Sequence, residues 1–251
     1  MTVFLKVEAL GNDFVIVENE PLAAWPKDRV QATCDRHRGI GADGILLVNH
    51  ASDADARMTV INADGSRPEM CGNGLRCVAR VMGQRLGQRD VRIQTEAGIK
   101  ACRVESDLVT ADLGIVSMLG KVDLGSEDYG AHWYKADAGN PHLVSFDLEP
   151  QAAARIGAAL AVHPLFPEGT NVECARIVDG VIELVVWERG AGLTLACGTG
   201  AGATAVCGWE LGLLPDRPVV VRLPGGELTV WREEGRVRQR GPARVVFAGE
   251  I

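Results

Sequence analysis

The strongest constraint on the fold is that the chain repeats itself. Gly11-Asn12 opens the run GNDF, and Gly139-Asn140 opens GNPH 128 positions later. GADGILLV from Gly41 is matched by GTNVECARI from Gly169, again 128 along. TVINADG carries Asn62 and LVVWERG carries Glu188, 126 positions apart; CGNGLRC begins at Cys71 and CGTGAGA at Cys197, also 126 apart. Four landmarks in one order at nearly one offset, about half the chain, predict duplicated halves related by a pseudo-two-fold axis. Glycine-rich coincidence, in a chain with 30 glycines, would not preserve that order.

Apolar runs bounded by turn signals predict strands at 14–18, 44–49, 58–62, 91–95, 142–147, 181–187 and 219–223. After Cys71 the period changes, and Leu75, Val78, Ala79, Met82 and Leu86 fall on one face of a helix. After Cys197 the run GTGAGATAVCGWELGLL is small and apolar on every side, which suits a helix packed all round. The expected fold class is α+β, with two pseudo-symmetric domains, each a curved mixed sheet wrapped around a central helix. The expected boundaries are 1–114 plus 241–251 for the half carrying Cys71, and 115–240 for the half carrying Cys197. The closing ARVVFAGEI reads as a strand that returns to complete the first half.

Several function classes drop out. A net charge of −7 and dispersed basic residues leave no footprint for a nucleic acid or an anionic membrane. MTVFLKVEALGNDF lacks the apolar core of a secretory signal, and no run approaches the roughly 18 uncharged apolar residues of a membrane span, so a cytoplasmic location is expected. Seven cysteines, an odd number in a 251-residue chain, fit free thiols in a reducing compartment better than a disulfide framework. Without Cys-x-x-Cys or His-x-x-x-His spacing no structural zinc is expected, and neither a phosphate loop nor a dinucleotide fingerprint is present.

The duplicated cysteines carry the chemistry. Cys71 and Cys197 each stand before Gly-x-Gly and a helix. A helix start offers unpaired amides and the positive end of a dipole, which lower a thiol pKa and hold a carboxylate. Gly72, Asn73, Gly198 and Thr199 supply those amides. Two such helix starts facing each other would set one sulfur on each face of a bound carbon. One thiolate would remove the α-proton and the other thiol return one from the far side, with no cofactor. Cys34, Cys77, Cys102, Cys174 and Cys207 lack that context and read as buried structural thiols.

GNDF (11–14), NADGS (62–66), MCGNGLRC (70–77), GNPH (139–142), TNVE (170–173), ERGAGLT (188–194) and ACGTGAGA (196–203) together resemble the diaminopimelate epimerases, and the likeness runs through to GPARVVFAGEI. The resemblance implies a pyridoxal-independent isomerase that interconverts LL- and meso-diaminopimelate for lysine and cell-wall synthesis. It implies Cys71 and Cys197 as the base and acid pair, with His142 and Glu188 assisting proton transfer. It also implies a substrate held by Asn12, Asn62, Asn140, Asn171, Glu188 and Arg189. That set suits a double zwitterion, since Arg189 offers a planar fork to a carboxylate.

Two positions depart from the family pattern: Gly44 where some members carry a glutamine near the substrate, and Gly202 where many have a third cysteine. The partner expected is a small amino acid, and pairing with a second copy as a homodimer stays open. Two other readings share the paired thiols. A proline-type racemase would not need Arg189 or Asn171, and a non-catalytic ligand binder would have unreactive thiols.

Overall fold

In the computed structural model, residues 2–126, 129 and 132–251 are described. The chain divides into two units, Met1–Asp112 with Gly241–Ile251, and Leu113–Arg240.

In the first unit β1 (Val3–Ala9) and β2 (Asn12–Glu18) form a hairpin. Its two-residue turn, Leu10-Gly11, has positive φ at both positions (56° and 77°), the geometry whose twist matches paired strands. After α1 (Lys27–Cys34), β3 (Gly44–Asn49) runs parallel to β2, and β4 (Ala56–Asn62) returns antiparallel to β3. The chain then enters α2 (Gly72–Leu86), and β5 (Asp90–Thr95) emerges parallel to β4. β6 (Gly98–Glu105) and β7 (Leu108–Gly114) extend the sheet as antiparallel neighbours.

The second unit begins with β8 (Ser117–Val122), antiparallel to β9 (Trp133–Asp137), which is antiparallel to β10 (Pro141–Ser145). After α3 (Ala153–Ala161), β11 (Asn171–Val178) runs parallel to β10, and β12 (Val181–Glu188) is antiparallel to β11. A short β13 (Gly192–Thr194) folds back on β12 before α4 (Gly198–Glu210). Next come β14 (Val219–Leu223), parallel to β12, then β15 (Gly226–Glu233) and β16 (Arg236–Pro242), each antiparallel to its predecessor. The last strand, β17 (Arg244–Glu250), belongs to the first unit, where it pairs antiparallel with β1.

The two units therefore repeat one wiring: β9 repeats β1, α4 repeats α2, β16 repeats β7, and β8 stands to β9 as β17 stands to β1, with β13 added in the second unit. Each central helix touches seven strands of its own unit, α2 meeting β1–β6 and β17, and α4 meeting β8–β12, β14 and β15. A sheet that reaches one helix with so many strands must curl around it, and the fold is the α+β arrangement expected.

Burial explains the two helices. On α2, Leu75, Val78, Ala79 and Met82 are buried, whereas Leu86 is 42% exposed because the helix ends at Gly87 (φ 65°), a left-handed cap that glycine adopts without strain. On α4 every residue from Gly198 to Trp209 is buried. At Gly202 an added Cβ would come within 2.6 Å of Leu113 Cδ1, so the close approach depends on the missing side chain. The strand expected over 142–147 stops at Ser145.

All seven cysteines are present as thiols. Burial pushes the Cys34 thiol up to about 11, and those of Cys102, Cys174 and Cys207 up to about 12, from an ordinary 9.0. A raised native value favours the folded state while these groups stay protonated. The contribution is whole below pH 9 and is lost as pH climbs through 11 to 12. The expected result is a urea midpoint that falls steeply above pH 9 under reducing conditions, on the order of 1 kcal/mol per pH unit for each such thiol. Cys102→Ala should flatten the fall; a midpoint unchanged to pH 11 would contradict the buried thiols.

Candidate active site

In both units the residues singled out by sequence gather at one end of the sheet. Asn12 starts β2, Gly44 starts β3 and Asn62 ends β4, with Gly44 paired to Asn62 in the ladder. The chain then runs to Cys71, which caps α2. Correspondingly, Pro141 starts β10, Asn171 starts β11, Glu188 ends β12 and Cys197 caps α4.

The cap geometry is nearly the same twice. Cys71 (φ −137°, ψ 112°) and Cys197 (φ −126°, ψ 113°) are extended, and each sulfur accepts from the amide three residues on, Gly74 and Gly200, both at 3.4 Å. Each thiol thus occupies the place of a capping hydroxyl at the helix tip.

Around α2 a polar chain fixes the asparagines. Asn73 Nδ2 donates to Asn12 Oδ1 (3.0 Å), and Asn12 Nδ2 donates to Asp43 Oδ2 (2.7 Å). Arg76, fully buried, donates to Asn73 Oδ1 (2.6 Å) and to the Gly72 carbonyl (3.4 Å). Arg36 bridges Asp43 and Asp13. Burial alone would raise the Asp13 carboxyl, but hydrogen bonds and charge from Arg36 and Lys6 outweigh it and hold the value at about 2. Asn62 Nδ2 donates to Ser66 Oγ (3.0 Å) within the NADGS turn.

Around α4 the chemistry is denser. The His142 ring, fully buried, has Nδ1 2.7 Å from Glu173 Oε1 and Nε2 2.9 Å from Asn140 Oδ1. Asn171 Nδ2 donates to the Pro141 carbonyl (2.9 Å), and its Oδ1 accepts from the Arg189 amide (2.9 Å), tying the starts of β10 and β11 to the turn after β12. The Arg189 guanidinium donates to the Glu168 carbonyl (3.1 Å). Glu188 accepts from Thr194 Oγ1 (2.6 Å) and hydrogen-bonds the Cys197 thiol; burial raises its carboxyl despite these two partners. Thr199 Oγ1 lies 3.5 Å from the Cys197 sulfur. Gly198 sits against the amide of Gln239, where a Cβ would come within 2.8 Å.

One expectation fails. The helix tip was expected to lower both thiols, but the Cys197 thiol is pushed well up by burial and by the Glu188 and Glu173 carboxylates, which outweigh Thr199 and the Gly200 amide. The shift favours the protonated form of Cys197. The sequence reading also passed over Asp43, Glu173 and Gln239 as side chains of the site. Glu173 left a usable signal: a carboxylate inside the apolar strand NVECA must have a partner to be buried there.

Among the described residues no cluster of His, Cys, Asp and Glu is arranged to hold a metal ion, and no helix is long and apolar enough to cross a membrane. A family model described as diaminopimelate epimerase matches residues 4–124 and 134–246. The diaminopimelate epimerase of Heliobacterium modesticaldum is 40% identical, with 99% of each chain covered. That of Synechococcus elongatus is also 40% identical, over 99% of this chain and 97% of its own. Among solved structures, a probable proline racemase from Agrobacterium radiobacter superposes with a TM-score of 0.77 at 16% identity, covering 100% of this chain and 93% of that one. A hydroxyproline epimerase from Agrobacterium vitis with bound trans-4-hydroxy-L-proline gives 0.74 at 18%, covering 99% and 91%. At such identities these two speak for the fold.

Proposed function

The chain belongs to the diaminopimelate epimerase family and is an isomerase, and from that premise we propose that it interconverts LL- and meso-diaminopimelate by moving one proton between two thiols. The observation that carries the reading is the doubled cap: in each repeat a cysteine sulfur stands at the amide-rich start of the central helix.

In the forward direction one cysteine, as thiolate, takes the α-hydrogen as a proton. The C–H pair passes to the α-carbon and into the carboxylate, and an S–H bond forms. The other cysteine, as thiol, delivers its proton to the opposite face and becomes the thiolate. Charge and protons balance, so the reverse reaction is the same step read backwards, and no cofactor enters. The amides of Gly72, Asn73, Gly198 and Thr199 stabilise the charge that develops on the carboxylate. His142 and Glu188 assist proton transfer at the reacting centre. Asn12, Asn62, Asn140, Asn171 and Arg189 bind the substrate, Arg189 taking the distal carboxylate. The product serves lysine and peptidoglycan-precursor synthesis in the cytoplasm, where the two thiols stay reduced.

Incubation with LL-diaminopimelate in D₂O under reductant tests the reading. Meso product should appear with one deuterium at the inverted α-carbon. Proline racemised in its place, with diaminopimelate untouched, would favour the proline-type reading; no exchange with any amino acid would leave only a binding protein.

A further inference from the structure

The two repeats differ at one buried spot. On α2 a Cβ built at Gly74 would meet Leu46 Cδ2 at 2.9 Å; on α4 a Cβ built at Gly200 would meet Glu173 Oε1 at 2.8 Å. Gly74 and Gly200 hold the same place in their helices, each donating to its capping sulfur. Where the first unit packs a leucine beneath the helix tip, the second therefore packs a carboxylate. Glu173 is fully buried.

We propose that Glu173 is a positioning residue of this epimerase, its carboxylate gripping the His142 ring through Nδ1 from beneath the first turn of α4. The inference rests on the reading of His142 and Asn140 given above. Its geometry is a relay of three side chains. Glu173 Oε2 accepts from the Leu143 amide (3.2 Å), which locks the carboxylate to the strand carrying His142, and Oε1 faces Nδ1 at 2.7 Å. A carboxylate accepts, so Nδ1 holds the proton of that bond. The ring is thereby fixed with Nε2 toward Asn140, 2.9 Å from its Oδ1. That orders the Asn140 amide at the start of β10, among the substrate-binding residues. Asn140 Oδ1 accepts as well, so both ring nitrogens donate in this arrangement and the ring is held in one orientation.

Glu173→Gln, close in shape and unable to act as a carboxylate, should lower kcat at least about tenfold with KM little changed, the scale of losing an orienting partner. Glu173→Asp, which keeps the charge, should recover part of the loss. In ¹⁵N-histidine-labelled protein the wild type should show a hydrogen-bonded Nδ1 proton of His142, far downfield and slow to exchange, absent in Glu173→Gln and shifted in Glu173→Asp. A Glu173→Gln enzyme with unaltered kcat, or with that proton still in place, would overturn the proposal. Should Glu173→Gln fail to fold, the Glu173→Asp enzyme decides it: wild-type kcat with an unshifted Nδ1 proton overturns the proposal, while lowered kcat with a shifted proton supports it. Wild-type protein that shows the Nδ1 proton yet epimerises nothing would refute the function and leave the His142–Glu173 geometry standing.

Discussion

Cys197→Ala and Cys71→Ala should each reduce the interconversion of LL- and meso-diaminopimelate by at least about 10³-fold, within the range that positioned acid–base groups supply. The two variants should fail differently. On the proposed mechanism, the sulfur that remains still serves its own face of the α-carbon. It can remove that hydrogen, exchange it with solvent and return deuterium to the same side. Each variant should therefore wash deuterium into one stereoisomer without inverting it, and the two variants should choose opposite stereoisomers. Mass spectrometry of recovered LL- and meso-substrate, separated chromatographically, reads both quantities. Inversion surviving at more than a few per cent in either variant would mean that some other group handles that face. The elevated Cys197 thiol, set by burial and by Glu188 and Glu173, adds a detail: resting enzyme treated with a thiolate-selective alkylating agent at neutral pH should leave Cys197 unmodified.

Arg189→Ala should lower kcat/KM for diaminopimelate by about 100-fold, because on the proposed reading two charge-assisted hydrogen bonds to the distal carboxylate vanish together. Arg189→Lys should recover little, since an ammonium cannot reproduce the fork. The turn that carries Arg189 is held through its backbone by Asn171, and the guanidinium adds one bond to the Glu168 carbonyl, so thermal stability should fall by no more than about 1 kcal/mol. Steady-state kinetics of the three enzymes, with melting curves alongside, settles the matter. A variant with normal kcat/KM would remove Arg189 from substrate binding and revive a ligand lacking a distal carboxylate.

The parts legible in sequence were those where chemistry restricts residue choice. Both helix tips carry Cys-Gly-x-Gly, the second glycine amide donating to the capping sulfur, and the turns before β2 and β10 carry Gly-Asn; such positions survive duplication in recognisable form. The core strands of both units were legible through apolar runs such as GILLVN. Strands like β6 were not: its inward face is Lys100, Cys102 and Val104, while Ile99 faces solvent, so hydrophobic alternation is inverted where it begins. β16 hid for a related reason, its buried Val237 and Gln239 lying between arginines that read as a solvated face. The elevated Cys197 thiol escaped because a helix tip argues for the opposite shift, and only the fold brings Glu173, 24 residues upstream in sequence, into its field.

The pairing of β17 with β1 has a consequence for assembly. During synthesis the Leu113–Arg240 unit emerges as one uninterrupted stretch and can close its own sheet. The unit that contains β1, although made earlier, lacks a border strand until residues 244–250 leave the ribosome. Until then β1 exposes an unpaired row of amides and carbonyls beside Phe4 and Val7, a surface that invites wrong pairing. The half translated first is the half completed last, and loss of residues 244–250 would damage the strand at residues 3–9.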